Sequence, residues 1–318
     1  MMAPLKRKVI LDIDPGIGDI LPLCLALFEP RFHVLGITVC GGHVSPQTAL
    51  HTIQLILDSL DAGLLPRLGV GHELEPCLFP TARNFWSNTG LDHLDLPAAD
   101  YFAPHCAEKI ISDLVRSHPN EITVVALGPL TNIARAFTRE KDLATLVHRL
   151  IIVGGTVHEP GNATAAAEYN FYRDPASARH IFRCPVAKTL VPLDITQKLL
   201  LDYGILNHIP SKHTKVGEFL QNILPQAFYL HRQYLGMEGI HVPGIVALMA
   251  LLYPELFESR MLAGDVETEG EITRGMTVFD RRNLAQWNQN IDVLMDVNVP
   301  ETLEKIEITL EFLQQRME

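Results

Sequence analysis

Short runs of apolar residues, many of them β-branched, alternate along the first half of the chain with longer stretches whose apolar positions recur every three or four residues. Runs over 8–13, 34–39 and 122–127 are each followed by a helical pattern, over 19–28, 46–60 and 130–137. The strands are apolar almost without interruption, as strands covered on both faces must be, and their alternation with helices predicts a parallel sheet. Two further runs, 150–153 and 187–191, end in Gly154-Gly155 and in Pro192-Leu193-Asp194. The pattern from 200 to 252 is mostly helical, with segments over 215–234 and 244–252, before a strand near 291–297 and a helix over 301–316. No linker, low-complexity tract or repeat divides the chain. The expectation is an α/β fold: one domain over 1–318 built on an open, mostly parallel sheet with helices on both faces, and a mainly helical cap around 200–253.

In such sheets ligands bind beyond the carboxyl ends of the strands, so the loops there are where chemistry is sought. The first reads VILDIDPGIGD, with Asp12 and Asp14 alternating on the strand and Asp19 opening the next helix. Carboxylates so placed repel one another unless a cation or strong donors offset them, and hard oxygens suit Ca²⁺ or Mg²⁺. The plainer reading is that Asp19 caps a helix and Asp12 a strand end. In ALGPLTNIARAF, Thr131 and Asn132 stand at a helix start, as caps or as the source of a carbonyl for a cation. The stretch 153–178 is crowded with amides and acids, and its Asn162, Glu168 and Asn170 offer donors and acceptors suited to several sugar hydroxyls. His241, just before a buried helical run, is either structural or a general acid.

Composition narrows the partners. A net charge of −11 with no compensating run of Lys or Arg argues against nucleic acid. Apolar runs near ten residues fall short of the roughly 20 needed to cross a bilayer, and Asp12 interrupts the N-terminal run before a signal-peptide core can form. Cys24, Cys40, Cys77, Cys106 and Cys184 are odd in number and form no CxxC pair, which reads as reduced, buried thiols of a cytoplasmic protein.

The order and spacing of LDIDPGIGD, GITVCGGHVS, ALGPLTNIA, GNATAAAEYNFYRDP and IHVPGIVAL, with NTGLDHLDLP at 88–97, resemble the nucleoside hydrolase family, the inosine–uridine-preferring N-ribohydrolases. The resemblance covers most of the chain. It implies an open α/β fold, Ca²⁺ at the strand ends, hydrolysis of the bond between ribose and a nucleobase, and a homodimer or homotetramer. It assigns Asp14, Asp19 and the Thr131 carbonyl to the metal, and makes Asp14 the base that takes a proton from a metal-bound water. Asn162, Glu168 and Asn170 match its ribose-binding residues and His241 its leaving-group acid.

Four positions depart from the family's pattern. Gly18 replaces an aspartate that grips a ribose hydroxyl, and Val242 replaces an aspartate that ligates Ca²⁺. His43 stands for an asparagine and Trp86 for a histidine, and both remain candidate substrate contacts. The implied activity is N-glycosidic hydrolysis of a nucleoside or related ribosyl compound; the alternative is a catalytically impaired nucleoside- or sugar-binding protein of the same fold.

Overall fold

The computed structural model describes residues 6–42, 45–60, 65–74, 105–282 and 288–315. Strand β1 (Arg7–Ile13) lies between β2 (Phe32–Val39) and β5 (Ile122–Ala126), pairing parallel with both. From β2 the sheet continues through β3 (Arg67–Val70) to β4 (His105–Cys106). On the other side β5 is followed by β6 (Arg149–Val153), β7 (Lys188–Val191) and β12 (Ile291–Val297). All these neighbours are parallel. The far edge is antiparallel, with β10 (Phe257–Val266) on β12 and β11 (Thr277–Asp280) on β10. The chain therefore builds outward from β1 in one direction and then from β5 in the other. A crevice opens outside the carboxyl ends of strands where the order reverses in this way.

Alternate strand residues feed two cores, which is why the strands read as unbroken apolar runs. Val9, Leu11 and Ile13 face one, with Val125 and Ile151; Ile10 faces the other, with Val124, Leu150 and Ile152. The first core is closed by α1 (Ile17–Phe28), α2 (Pro46–Leu60), α9 (Lys215–Leu230), α10 (Pro243–Leu252) and α11 (Val299–Gln315). The second is closed by α3 (Ala107–Ser117), α4 (Thr131–Arg139), α5 (Leu143–Leu146) and α7 (Pro175–Arg183). Two short helices follow strands on the carboxyl side, α6 (Tyr169–Arg173) after the loop from β6 and α8 (Leu193–Thr196) after β7.

The segment 200–253 contributes a small two-stranded antiparallel sheet, β8 (Leu200–Leu201) against β9 (Ile240–His241), besides α9 and α10. Helix α10 starts hard against α1: a Cβ on Gly244 would sit 2.7 Å from Pro22 Cγ. Among the described residues no helix is long and apolar enough to cross a membrane. Cys24 and Cys40 are buried free thiols as expected, but Cys184 is half-buried and Cys106, at the sheet edge, is exposed; Cys77 lies outside the described residues.

Candidate active site

The carboxyl end of β1 places its two aspartates in different surroundings. Asp12 is fully buried, and its Oδ1 accepts from Thr38 Oγ1 at 2.6 Å and from Asn132 Nδ2 at 2.8 Å. The second Asn132 hydrogen goes to the Val39 carbonyl at 3.1 Å. This knot ties β1, β2 and the start of α4 together, and Asp12 does not line the cavity. Burial pushes its carboxyl up to about 7 against the lowering effect of the two donors, with the charge of Asp14 adding a smaller rise.

Two residues on, Asp14 reaches the cavity, followed by the Pro15-Gly16 turn that redirects the chain into α1. Asp19 lies in the first turn of that helix, where its Oδ2 accepts from the Gly16 N–H at 3.3 Å. The carboxylate of Asp14 occupies the space that a Cβ on Gly42 would need. Nearby, burial lifts the Cys40 thiol well above its ordinary range, reinforced by the charges of Asp12, Asp14 and Asp19. Three carboxylates therefore do converge at this strand end, though only two line the cavity.

The exit of β6 needs glycine twice. Gly154 and Gly155 have φ of +151° and +68°, and a Cβ on Gly154 would meet the Phe171 ring at 2.7 Å. Glu168 then caps α6: its Oε2 accepts from Phe171 N at 3.2 Å and from Gly155 N at 3.1 Å. Asn170 spends both Nδ2 hydrogens on the carbonyls of Leu127 and Val153, at 2.9 and 3.0 Å, which leaves its Oδ1 as the acceptor. Asn162 is the reverse case, since its Oδ1 accepts from Tyr169 N at 2.8 Å and its Nδ2 is left as the donor. The loop's beginning is clamped by Asp194 of α8, whose carboxylate takes the N–H groups of Val157, His158 and Glu159 at 2.8, 2.7 and 3.3 Å.

His241 ends β9, and its Nδ1 lies 3.1 Å from the Leu199 carbonyl. A carbonyl only accepts, so Nδ1 carries the hydrogen and Nε2 is the acceptor of the neutral ring. A proton given to a ligand from this ring would leave from Nε2.

These groups meet in a cavity of about 300 Å³ lined by Asp14, Asp19, Asn162, Glu168, Asn170 and His241. Leu127, Val153, Val191, Leu193 and Pro243 make much of the remaining wall apolar. Thr131 is not among the lining residues; it opens α4 and its hydroxyl donates to Asp174 Oδ2 at 2.6 Å, so only its carbonyl remains for a cation. His43 and Trp86 lie outside the described residues, as does the 88–97 segment. Gly18 is on the cavity wall with nothing within 4 Å of where a Cβ would stand. Val242 is buried at 3% exposure in the apolar core, where it offers no oxygen.

Sequence reasoning missed His231, Leu235 and Met237, which line the cavity from the turn after α9, and Thr196 and Gln197 at the end of α8. Nothing in their local pattern marks them, because packing against distant segments brings them there. It also missed the clamping role of Asp194, for which the Pro-Leu-Asp at a strand end was the available signal.

Among the described residues the lining holds three carboxylates, Asp14, Asp19 and Glu168, and no lysine or arginine. Among the described residues no three His, Cys, Asp or Glu side chains stand close enough to hold a metal by themselves. The donor set still fits a hard dication in kind: two carboxylates on one cavity wall, with carbonyl, water and ligand oxygens left to fill the shell.

Residues 9–304 match the model of a family described as inosine-uridine preferring nucleoside hydrolase. The pyrimidine-specific ribonucleoside hydrolase RihA of Photobacterium profundum is 32% identical over 298 residues, covering 92% of this chain and 95% of that protein. Uridine nucleosidase 1 of Arabidopsis thaliana is 30% identical, covering 96% and 93%. Among solved structures, a purine-preferring ribonucleoside hydrolase from Gardnerella vaginalis superposes with a TM-score of 0.86 at 26% identity, over 98% of this chain and 100% of that one. A plant nucleoside hydrolase gives 0.85 at 27%, over 96% and 99%. The match runs through the strand ends that build the cavity as well as through the sheet beneath them, and the chain belongs to the inosine-uridine preferring nucleoside hydrolase family.

Proposed function

We propose that the protein hydrolyses the N-glycosidic bond of a ribonucleoside, releasing free base and ribose. The observation that carries this reading is the meeting of Asp14, Asp19, Asn162, Glu168, Asn170 and His241 in one cavity at the sheet's carboxyl edge. Cleaving a C–N glycosidic bond builds positive charge on the sugar, and carboxylates beside the ring stabilise it. Asn162 donates to the sugar hydroxyls, while the Asn170 carbonyl oxygen and Glu168 accept from them. Asp14 takes the proton from the attacking water. His241 acts in its doubly protonated form, giving the proton on Nε2 to the departing base and keeping the one on Nδ1, so that the base leaves as a neutral molecule and the ring becomes neutral. Asp14, Asp19 and the Thr131 carbonyl would hold Ca²⁺, which when bound acidifies a water and orients sugar hydroxyls.

A second reading, binding without turnover, draws on Gly18 and Val242, each of which leaves a place without a carboxylate. Incubating the purified protein with ribo- and deoxyribonucleosides, uridine first because two relatives are named for pyrimidine or uridine, separates the two. Free base appears under the first reading, in greater amount with Ca²⁺ than with a chelator, and Asp14→Asn lowers kcat by about 10²–10⁴-fold. Intact nucleoside binding with no base released from any of them leaves the second reading standing.

A further inference from the structure

The turn from β5 into α4, residues 127–131, is gripped at both ends from α6. At its start the Leu127 carbonyl accepts from Asn170 Nδ2 at 2.9 Å, and at its end the Thr131 hydroxyl donates to Asp174 Oδ2 at 2.6 Å. The Asp174 N–H closes the last turn of α6 on the Asn170 carbonyl at 3.4 Å, so both gripping side chains leave the same short helix. The other carboxylate oxygen, Oδ1, accepts from Ser177 N at 3.0 Å and caps α7. Asp174 therefore joins α4, α6 and α7. Helix α4 has no side-chain cap from its own N-cap residue, Leu130, and this carboxylate stands at that end, where the helix dipole favours a negative charge. The turn also lies directly on the end of β1: a Cβ on Gly128 would stand 3.0 Å from both the backbone nitrogen and the Cβ of Asp14. One end of the turn thus backs Asp14 while the other carries the Thr131 carbonyl, and its two anchors decide where both groups stand.

We propose that Asp174 is a positioning residue for the cation site: by holding the Thr131 hydroxyl it fixes the turn against Asp14 and sets where the Thr131 carbonyl stands. This rests on the reading above in which Asp14, Asp19 and that carbonyl hold Ca²⁺. Asp174 is not among the residues that line the cavity, so its effect passes through Thr131. Groups that orient a metal's ligands in this way are worth about ten- to a hundredfold in metal affinity.

The test titrates the full-length, chelator-treated protein with Ca²⁺ by calorimetry, as wild type, Thr131→Val, Thr131→Ser, Asp174→Ala and the double variant of Asp174→Ala with Thr131→Val. Thr131→Val keeps the carbonyl and the cap of α7 and removes the hydroxyl. Its Kd for Ca²⁺ should rise about ten- to a hundredfold, and the Ca²⁺ concentration giving half-maximal base release should rise by the same factor, with the rate at saturating Ca²⁺ little changed. Thr131→Ser, which keeps the hydroxyl, should bind as the wild type does. Asp174→Ala should match Thr131→Val, and the double variant should be no weaker than either, because both changes cut one bond. Loss of folded protein alone would lower the number of sites per chain and leave Kd where it was, which separates positioning from folding; where Asp174→Ala does not fold, Thr131→Val against Thr131→Ser decides. A wild-type Kd in Thr131→Val overturns the proposal, as does a double variant whose loss is the product of the two single losses. If the wild type binds Ca²⁺ but releases no base, the hydrolytic reading fails while the calorimetry still decides the role of Asp174. A wild type that binds no Ca²⁺ refutes the cation reading and this proposal with it.

Discussion

At the scale of single residues, Asp12 shows how far burial can separate two carboxylates one strand pitch apart. Among the described residues its Oδ2 and the Asn132 Oδ1 are both buried acceptors without a hydrogen-bond partner, and a proton on Asp12 gives one of them a hydrogen to donate. The folded carboxyl is raised from 3.8 to about 7, so the fold favours the protonated form. The contribution to stability is complete below pH about 4 and is lost as the pH rises toward 7, by an amount on the order of 4 kcal/mol at the most. Asp12→Asn keeps the acceptor for Thr38 and Asn132 and supplies N–H donors without a charge. Its melting temperature should therefore depend less on pH than that of the wild type and exceed it at pH 8; equal pH profiles for the two proteins would refute this account. The sequence made Asp12, Asp14 and Asp19 look alike, since all three sit at one strand end. What separates them is Asn132, more than a hundred residues away, and no local pattern carries that.

At the scale of elements, the loop between β6 and α6 presents Asn162 and Glu168 only because its first residues are held on both sides. Asp194 takes three backbone N–H groups, and Thr277 of β11 both accepts from Thr156 N and donates to its carbonyl, at 2.9 and 2.6 Å. Asp194→Ala should cost about 2 kcal/mol in stability through the lost charge-assisted bonds. It should also raise KM for a ribonucleoside severalfold and speed hydrogen exchange over 156–168; unchanged protection there would show that the clamp is not needed. The sequence pattern reached the elements that make this geometry to different degrees. Parallel strands buried on both faces announce themselves, and 8–13, 34–39, 122–127, 150–153, 187–191 and 291–297 all lie on observed strands or within a residue of them. The antiparallel pair β10–β11 did not, because half of β10 is exposed and reads FESR at its start, with little to tell it from a loop. Pro22 and Pro225 lie inside α1 and α9 without ending either helix, and the apolar periodicity carried through both.

At the scale of the whole molecule, the reversal of strand order at β1 and β5 sets where the cavity opens, and the sequence pointed to that end of the sheet because its Gly-, Pro- and Asp-rich turns all follow strands. The cap wall of His231, Leu235 and Met237 was hidden, since it arises from where α9 ends in space. A cation held in the acidic cavity would link ion binding to the stability of the entire fold. Millimolar Ca²⁺ should raise the melting temperature by a few degrees, corresponding to about 2.7 kcal/mol at a hundredfold excess over the dissociation constant. Asp19→Asn should abolish most of that rise. A melting temperature indifferent to Ca²⁺ and Mg²⁺ in the wild type would rule out these carboxylates as a cation site.

The contact between Gly244 and Pro22 has a further consequence for the reaction. His241 ends β9 one residue before α10 opens, and α1 carries Asp19, so the imidazole stands next to one helix and the carboxylate on another, and the two helices touch where Gly244 meets the Pro22 ring. Their separation is set as a machinist sets a gap, by solid parts in contact, and does not depend on the conformation of a loop. One methyl group at position 244 would widen that gap across the cavity that both groups line.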